Sequence, residues 1–395
     1  MKKRAFSFPP AEKKAIAGLA SVLSARMFGL SVLIPVFSVY AMGLPDSTPL
    51  LAGIAFSVYG LTQAVLQIPF GYFSDRFGRK PVVIGGLALF AAGSVLGGLT
   101  TNIYVLIVAR FIQGAGAIAS ACFAWIADLT DVSRRNMAMA FMGMSIGGGI
   151  VMGMILGPVI AGYTGVQFLF WLTAGLSVVA ILITAIFLKE PSKEAHHNEF
   201  SLNPRTVLGY AMDPNLLRLD AAGMLVNMSM IAAFFMAPIQ IAKHFEMGEL
   251  WKIYLPLALF GGMAMMFSSK AADRGAARKV ITGALLAVAV AFALMAHFPS
   301  IYGLLAGFSL FFAAFSVLEA TLPAAVSKLA DPTHKGAIIG VFNFSVFMGT
   351  FFGGMLAGVL ALSHETLFFY LIMGACLIAA GLVYSAPGLD RSENA

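Results

Sequence analysis

The stretch GYFSDRFGRKP, residues 71–81, sets Asp75, Arg76, Arg79 and Lys80 between two glycines and a proline, and long apolar runs lie on either side of it. Only 11% of the chain is charged while 59% is hydrophobic, so a charged turn of this density is an exception within its own sequence. A bilayer core about 30 Å thick is crossed by roughly 20 apolar residues at 1.5 Å each. Counting outward from the turn in runs of that length gives twelve: 15–41, 50–74, 82–100, 103–127, 137–162 and 166–188, then 218–242, 251–272, 279–298, 301–328, 336–361 and 365–385. These runs are continuous and tolerate Gly and Pro, whereas a membrane barrel needs short alternating segments, so every run reads as a helix. The fold class is an all-α membrane protein. The basic opening MKKRAFSFPPAEKKA precedes an apolar run too long for a signal-peptide core, and we read it as retained.

Lys and Arg gather on one side of the membrane, and that side is expected to be cytoplasmic. It holds Lys2, Lys3, Arg4, Lys13 and Lys14, the turn, Arg134 and Arg135, Lys189, Lys193 and Arg205, Lys270 to Lys279, Lys328 and Lys335; the other side has little beyond Lys243 and Lys252. Both termini are therefore expected in the cytoplasm. The net charge of +7 fits anionic headgroups, which leaves nucleic-acid binding unneeded. Cys122 and Cys376 fall inside spans and read as small apolar residues. The longest polar interruption, residues 189–217, splits the chain into six-helix bundles at 1–188 and 218–395. His196 and His197 lie in this linker with no acid or Cys cluster to complete a metal site, so they read as solvated and no metal is expected. Two equal halves suggest duplication. SKAADRGAARK (269–279) repeats Asp75 and Arg76 as Asp273 and Arg274, with Arg278 and Lys279 one place late.

Three signatures in order carry a family resemblance. Gly71, Asp75, Arg76, Gly78, Arg79, Lys80 and Pro81 meet G-x-x-x-D-R-x-G-R-K-P, which resembles the loop signature of the major facilitator superfamily. RFIQGAGA, with Arg110 and Gln113, is similar to its second motif, and GIVMGMILGPVIAG, with Gly149, Gly153, Gly157 and Pro158, resembles the motif of its proton-coupled drug antiporters. YGLTQAVLQIPFG, WKIYLPLAL and LEATLPAAVSK look like the YajR-type group of efflux antiporters, without the small soluble C-terminal domain of that type. The resemblance implies two pseudo-symmetric bundles, a central cavity lined by the first, fourth, seventh and tenth spans, a monomer, and an Arg79–Asp128 contact. It also implies a bacterial inner-membrane location, and no cofactor beyond the proton gradient as energy source.

On this reading the charged turn is a conformational latch. Gly71 permits close helix approach, Gly78 lets the loop turn, and Asp75 faces the start of the eleventh span near Gly336, where a helix dipole favours an anion. Charges inside spans cost about 2.5–3.5 kcal/mol each even on the gentler insertion scale, so they should face a cavity or a partner. Arg26, Arg110 and Glu319 are three such residues. Glu319 is the first candidate for proton coupling, with Arg26 and Arg110 as charge partners, and Asp220 is the second candidate. Gly143, Gly147, Gly149, Gly153 and Gly157 recur at helical spacing, and with Pro158 they read as close packing and a hinge or seal between the halves. Tyr59, Gln63 and Gln67 share a helix face, and with Gln113, Asn227, Phe234 and Phe235 they are expected to line a substrate cavity suited to small amphiphilic or aromatic molecules. No HExxH, nucleophile elbow or GxxxxGK[ST] occurs, so an enzyme is not expected. The expected activity is proton-driven antiport that exports a small molecule; proton-coupled import of a metabolite is the alternative.

Overall fold

The computed structural model describes residues 8–191, 209, 211–330, 334–386 and 389. His196, His197 and most of the linker lie outside the described residues. The described residues form twelve membrane-length spans, with ends within a few residues of the expected ones.

Two spans are broken, for local reasons. The first runs as Pro10–Ser31 and Ile34–Met42, and Pro35 in the first turn of the second piece has no N–H to continue the ladder. The fourth runs as Ile103–Ala115 and Ala119–Leu129. Its break at Gly116 (φ −76°, ψ 50°) is where it squeezes between neighbours: a Cβ on Gly114 would lie 2.3 Å from the Tyr59 carbonyl oxygen, and one on Gly116 2.5 Å from that of Gly86. The apolar helical stretch Met247–His297 is 51 residues long, far more than one crossing needs. Gly275, at φ 91°, folds it into Trp251–Ala271 and Ala277–His297. The corresponding turn in the first half is made by Gly78 at φ 101°. The turn glycine stands one place nearer its aspartate, while Arg278 and Lys279 stand one place farther from it.

Each bundle pairs its first helix with its fifth, the first with the fifth span and the seventh with the eleventh. Across the bundles the second span packs on the eleventh and the fifth on the eighth, as the pseudo-twofold relation requires. Lipid is as apolar as Leu, so these contacts depend on close backbone approach rather than on hydrophobic burial. A Cβ on Gly53 would meet the Gly354 carbonyl oxygen at 2.2 Å, one on Gly358 the Pro49 oxygen at 2.7 Å, and one on Gly162 the Gly248 Cα at 2.5 Å. Phe56 completes this seam, 5.6 Å from the Phe37 ring and 6.4 Å from Phe235 of the other bundle. All of these residues lie on the side away from the charged turn. On the side of the turn, Cβ atoms on Gly143, Gly147 and Gly340 would meet nothing within 4 Å. The hydrophobic core is divided in the same way: one cluster joins both bundles across the closed side, and a second, around Leu23, Leu87 and Trp125, belongs to the first bundle alone. The bundles thus close at one face and part at the other.

Gly53→Ala is a direct test of the seam. The added methyl cannot fit against backbone, so the closed face should loosen, and a cysteine introduced at Ser57 should label faster from that face. Native Cys122 and Cys376 are buried and contribute little background. Unchanged labelling would mean that the seam does not hold the closed face.

Candidate functional site

Gly78 ends the second span and Arg79 opens the third, Arg79–Leu99. Arg79 is buried at 5% exposure and organises the turn. Its Nε donates to Asp128 at 2.8 Å, and its Nη1 donates to Ser74 Oγ at 2.7 Å and to Asp75. The Arg79–Asp128 contact implied by the resemblance is present. Glu190, which sequence reasoning missed, accepts from the backbone N–H of Arg79 at 2.6 Å and of Lys80 at 2.8 Å. It satisfies the first amides of the third span as a cap would. A Cβ on Gly78 would lie 2.8 Å from the Glu190 carboxylate, so glycine is needed there for both its φ and its space. The available signal was an acid straight after the sixth span. Lys80 Nζ donates to the carbonyls of Ala185 and Leu188, tying the turn to the end of the sixth span. Arg76 is the outward member of the group, stacked 5.6 Å from the Phe77 ring.

Two latch expectations need correction for this conformation. A Cβ on Gly71 would meet only Ser120 Oγ at 3.9 Å, so no close helix approach occurs there. Asp75 is held by Arg79 of its own bundle and is one-quarter exposed, rather than docked on the eleventh span. The physical reason for both is the parting of the bundles at this face. Arg134, read from sequence as a topology charge, forms a network instead: it donates to both oxygens of Glu12, at 2.8 and 3.0 Å, and to Asp131. The Glu12 hydrogen bonds hold its guanidinium above the ordinary value.

Deeper in the first bundle lie the buried cations. Arg110 is stacked on Phe37 at 5.1 Å and on Tyr59 at 4.6 Å, and it donates to Gln113 Oε1 at 2.7 Å; Gln113 in turn donates to Ser94 at 2.8 Å. Arg26 lies 5.6 Å from the Phe90 ring, and none of its three guanidinium nitrogens has a hydrogen-bond partner among the described residues. Among the described residues neither arginine reaches a carboxylate at ion-pair distance, so the expected pairing with Glu319 is not made in this conformation. Glu319 is exposed on the tenth span, Ile301–Leu329, and forms no ion pair among the described residues. Asp220 is buried at 4% exposure, and its Oδ1 is unpartnered among the described residues. An unpaired buried cation is costly, and replacing one by an apolar side chain of similar length removes that cost. Arg26→Met is therefore expected to raise stability by about 1–2 kcal/mol, measured as the apparent melting temperature. A fall would mean that the arginine has a partner in the native protein.

The expected cavity set divides. Tyr59 stacks on Arg110, Gln63 is buried, Gln67 keeps a buried Oε1 unpartnered among the described residues, and Asn227 donates to the Gly223 carbonyl within its own helix. Phe234 does not line a cavity. It packs among Tyr254, Phe308 and Phe312, 5.2 to 6.1 Å between rings, in the core of the second bundle. Phe235, its neighbour, belongs to the closed seam. The glycines of the fifth span face the first span of their own bundle: Cβ atoms on Gly149, Gly153 and Gly157 would meet Ser24, Ser31 and Val32 at 2.1 to 2.5 Å. They are not a seal between the halves. Gly162 is the residue that faces the other bundle, at Gly248. Pro158 lies within the helix Val132–Thr164, which continues past it.

Twelve spans in two related bundles, a crevice open at one face and a charged turn at its rim are the frame in which the comparisons with known proteins stand. A family model described as Major Facilitator Superfamily matches residues 19–277 and 258–394. The chain belongs to the Major Facilitator Superfamily. Facilitator proteins similar to it include the inner membrane transport protein YajR of Escherichia coli (strain K12), 37% identical over 89% of this chain and 78% of that protein. Multidrug resistance protein 2 of Bacillus subtilis (strain 168) is 25% identical over 87% of each. Among solved structures, a bacterial homologue of the human lysosomal transporter Spinster, inward-facing and occupied, gives a TM-score of 0.79 at 14% identity over 98% of this chain and all of that one. The human organic anion transporter MFSD10 gives 0.69 at 19% identity over 95% of this chain and all of that one. These likenesses show the facilitator fold. The chain is a multi-pass membrane transporter, not an enzyme.

Proposed function

We propose that this transporter is a proton-driven antiporter of a bacterial inner membrane, with both termini in the cytoplasm, that exports small amphiphilic or aromatic molecules. Lobes 1–188 and 218–395, joined by the linker 189–217, rock about a central cavity, and the protein acts as a monomer. The observation that carries the reading is Glu319: an ionisable side chain within a membrane span, with no ion-pair partner among the described residues, is costly unless it is used. Relatives named as multidrug resistance proteins support the export reading. Since the basic side is expected to be cytoplasmic, the crevice described above is the inward-open state, and the latch would form when that face closes. Asp75, Arg76, Arg79, Lys80 and Asp128 are its proposed members, with Gly71 and Gly78 giving it room.

In this scheme Glu319 takes its proton from outside and releases it inside, and substrate leaves on the opposite stroke. Arg26 and Arg110 lower the cost of the ionised carboxylate when the bundles move, and Asp220 is the second carrier. Proteoliposomes with an internal pH dye test the scheme. An imposed proton gradient should drive a fluorescent aromatic cation such as ethidium against its own gradient, with protons moving the opposite way. Protons moving in the same direction as solute would instead establish the symport alternative.

A further inference from the structure

The two bundles correspond at the ends of their fourth helices. The fourth span closes on Trp125-Ile-Ala-Asp128-Leu129 and the tenth on Ala325-Val-Ser-Lys328-Leu329, each helix ending at that leucine. In the first bundle this place is filled. Trp125 is fully buried with its indole N–H on the Lys189 carbonyl at 3.2 Å, Asp128 accepts from Arg79, and the Glu190 carboxylate covers the amides of Arg79 and Lys80.

In the second bundle the same place is a cavity of about 610 Å³. Three replacements make it so. Ala325 stands for Trp125 and leaves the indole's volume open. Lys328 stands for Asp128 and reverses the charge. Leu389 stands for Glu190, in the register that matches Gly374 of the twelfth span to Gly175 of the sixth. All three replacements line the cavity, together with Asp273 and Lys335. Asp273 offsets Lys328 only loosely, at 3.8 Å and with both side chains exposed, a kind of pair that contributes little. Lys335, the first residue of the eleventh span, reaches no carboxylate at ion-pair distance among the described residues. The cavity has the size of a small-ligand site and an excess of positive charge.

We propose that this cavity binds a phosphate-bearing anion between Lys328 and Lys335, filling the space that Trp125 and the Glu190 carboxylate occupy in the other bundle. Lysine serves as a point-charge phosphate binder, and three ammonium donors each suit an oxygen-rich anion without a fixed fork geometry. The anion comes either from a phospholipid headgroup or from a soluble phosphate. Lys335 opens the helix that Asp75 is expected to meet on closure, so a bound anion competes with Asp75 for it and favours the crevice-open state. That consequence rests on the latch reading; the binding does not.

Apparent melting temperatures of the full-length protein test the site. One arm uses delipidated protein in detergent with inorganic phosphate against chloride at matched ionic strength. The other uses phosphatidylcholine nanodiscs with and without phosphatidic acid. The expected result is a rise of about 2 °C or more in at least one arm, because a ligand of the native state shifts apparent stability. A rise with phosphate identifies a soluble anion as sufficient, and a rise only with phosphatidic acid identifies the lipid headgroup. Lys335→Gln should remove the rise. Ala325→Trp, which supplies the first bundle's own side chain, should raise the anion-free value and also remove the response. No rise in either arm, or a rise that survives Lys335→Gln or a folded Ala325→Trp protein, overturns the proposal.

Discussion

A Glu319→Gln transporter is expected to lose concentrative transport driven by a proton gradient, by at least about tenfold, the factor that 1.4 kcal/mol separates. It should keep the downhill exchange of labelled for unlabelled substrate. The reasoning rests on which strokes need a proton. Exchange uses only the substrate-loaded carrier moving in both directions, whereas net antiport also needs a proton-loaded return. Glutamine preserves the shape and the dipole of the side chain but has no proton to release. Glu319 is exposed and forms no ion pair among the described residues, so its neutral analogue strands no buried partner, and the fold should be unharmed. Flux measured in proteoliposomes under an imposed pH gradient, beside exchange in the same vesicles, separates the two activities. Wild-type concentrative flux from the glutamine protein would remove Glu319 from the proton path and leave Asp220 as the candidate.

The spans were legible because twenty-residue apolar runs have one use in a bilayer, and interruption by charge marks their ends. The turn at Gly78 was legible in the motif itself, and the Arg79–Asp128 contact only as what the family resemblance implies. What escaped the sequence was contact between distant segments. Glu190 lies over a hundred residues from the amides it caps, and nothing in its own neighbourhood announces them. Phe234 and Phe235 are adjacent and chemically identical, yet one packs inside the second bundle and the other closes the seam between bundles. A helix turns 100° per residue, so type alone does not assign a face. The fifth-span glycines show the same limit, because their spacing reports close packing without naming the partner. Arg26 and Arg110 were recognisable as costly, but each is covered by aromatic rings from other spans, Arg26 by Phe90 and Arg110 by Phe37 and Tyr59.

Two substitutions in the charged turn should part company, and their contrast tells scaffold from latch. Arg79→Met removes a guanidinium that is 6% exposed and leaves Asp128, at 13%, facing nothing. Breaking a buried pair from one side costs about 3–5 kcal/mol, so this variant should lose much of its stability and, with it, transport. Asp75→Asn differs in kind. Its side chain is one-quarter exposed, and the amide oxygen can still accept from Arg79, so the stability cost should stay below about 1 kcal/mol. What the asparagine lacks is the full negative charge that would meet the positive end of the eleventh span when the open face closes. Transport by Asp75→Asn should therefore fall by at least about tenfold in protein that melts as the wild type does. Labelling of a cysteine placed at Gly340, open in the present conformation, should stay high in that variant under all substrate conditions. If Asp75→Asn melts as the wild type and also transports as the wild type, the charge at Asp75 serves the turn alone, and closure must be held by other contacts.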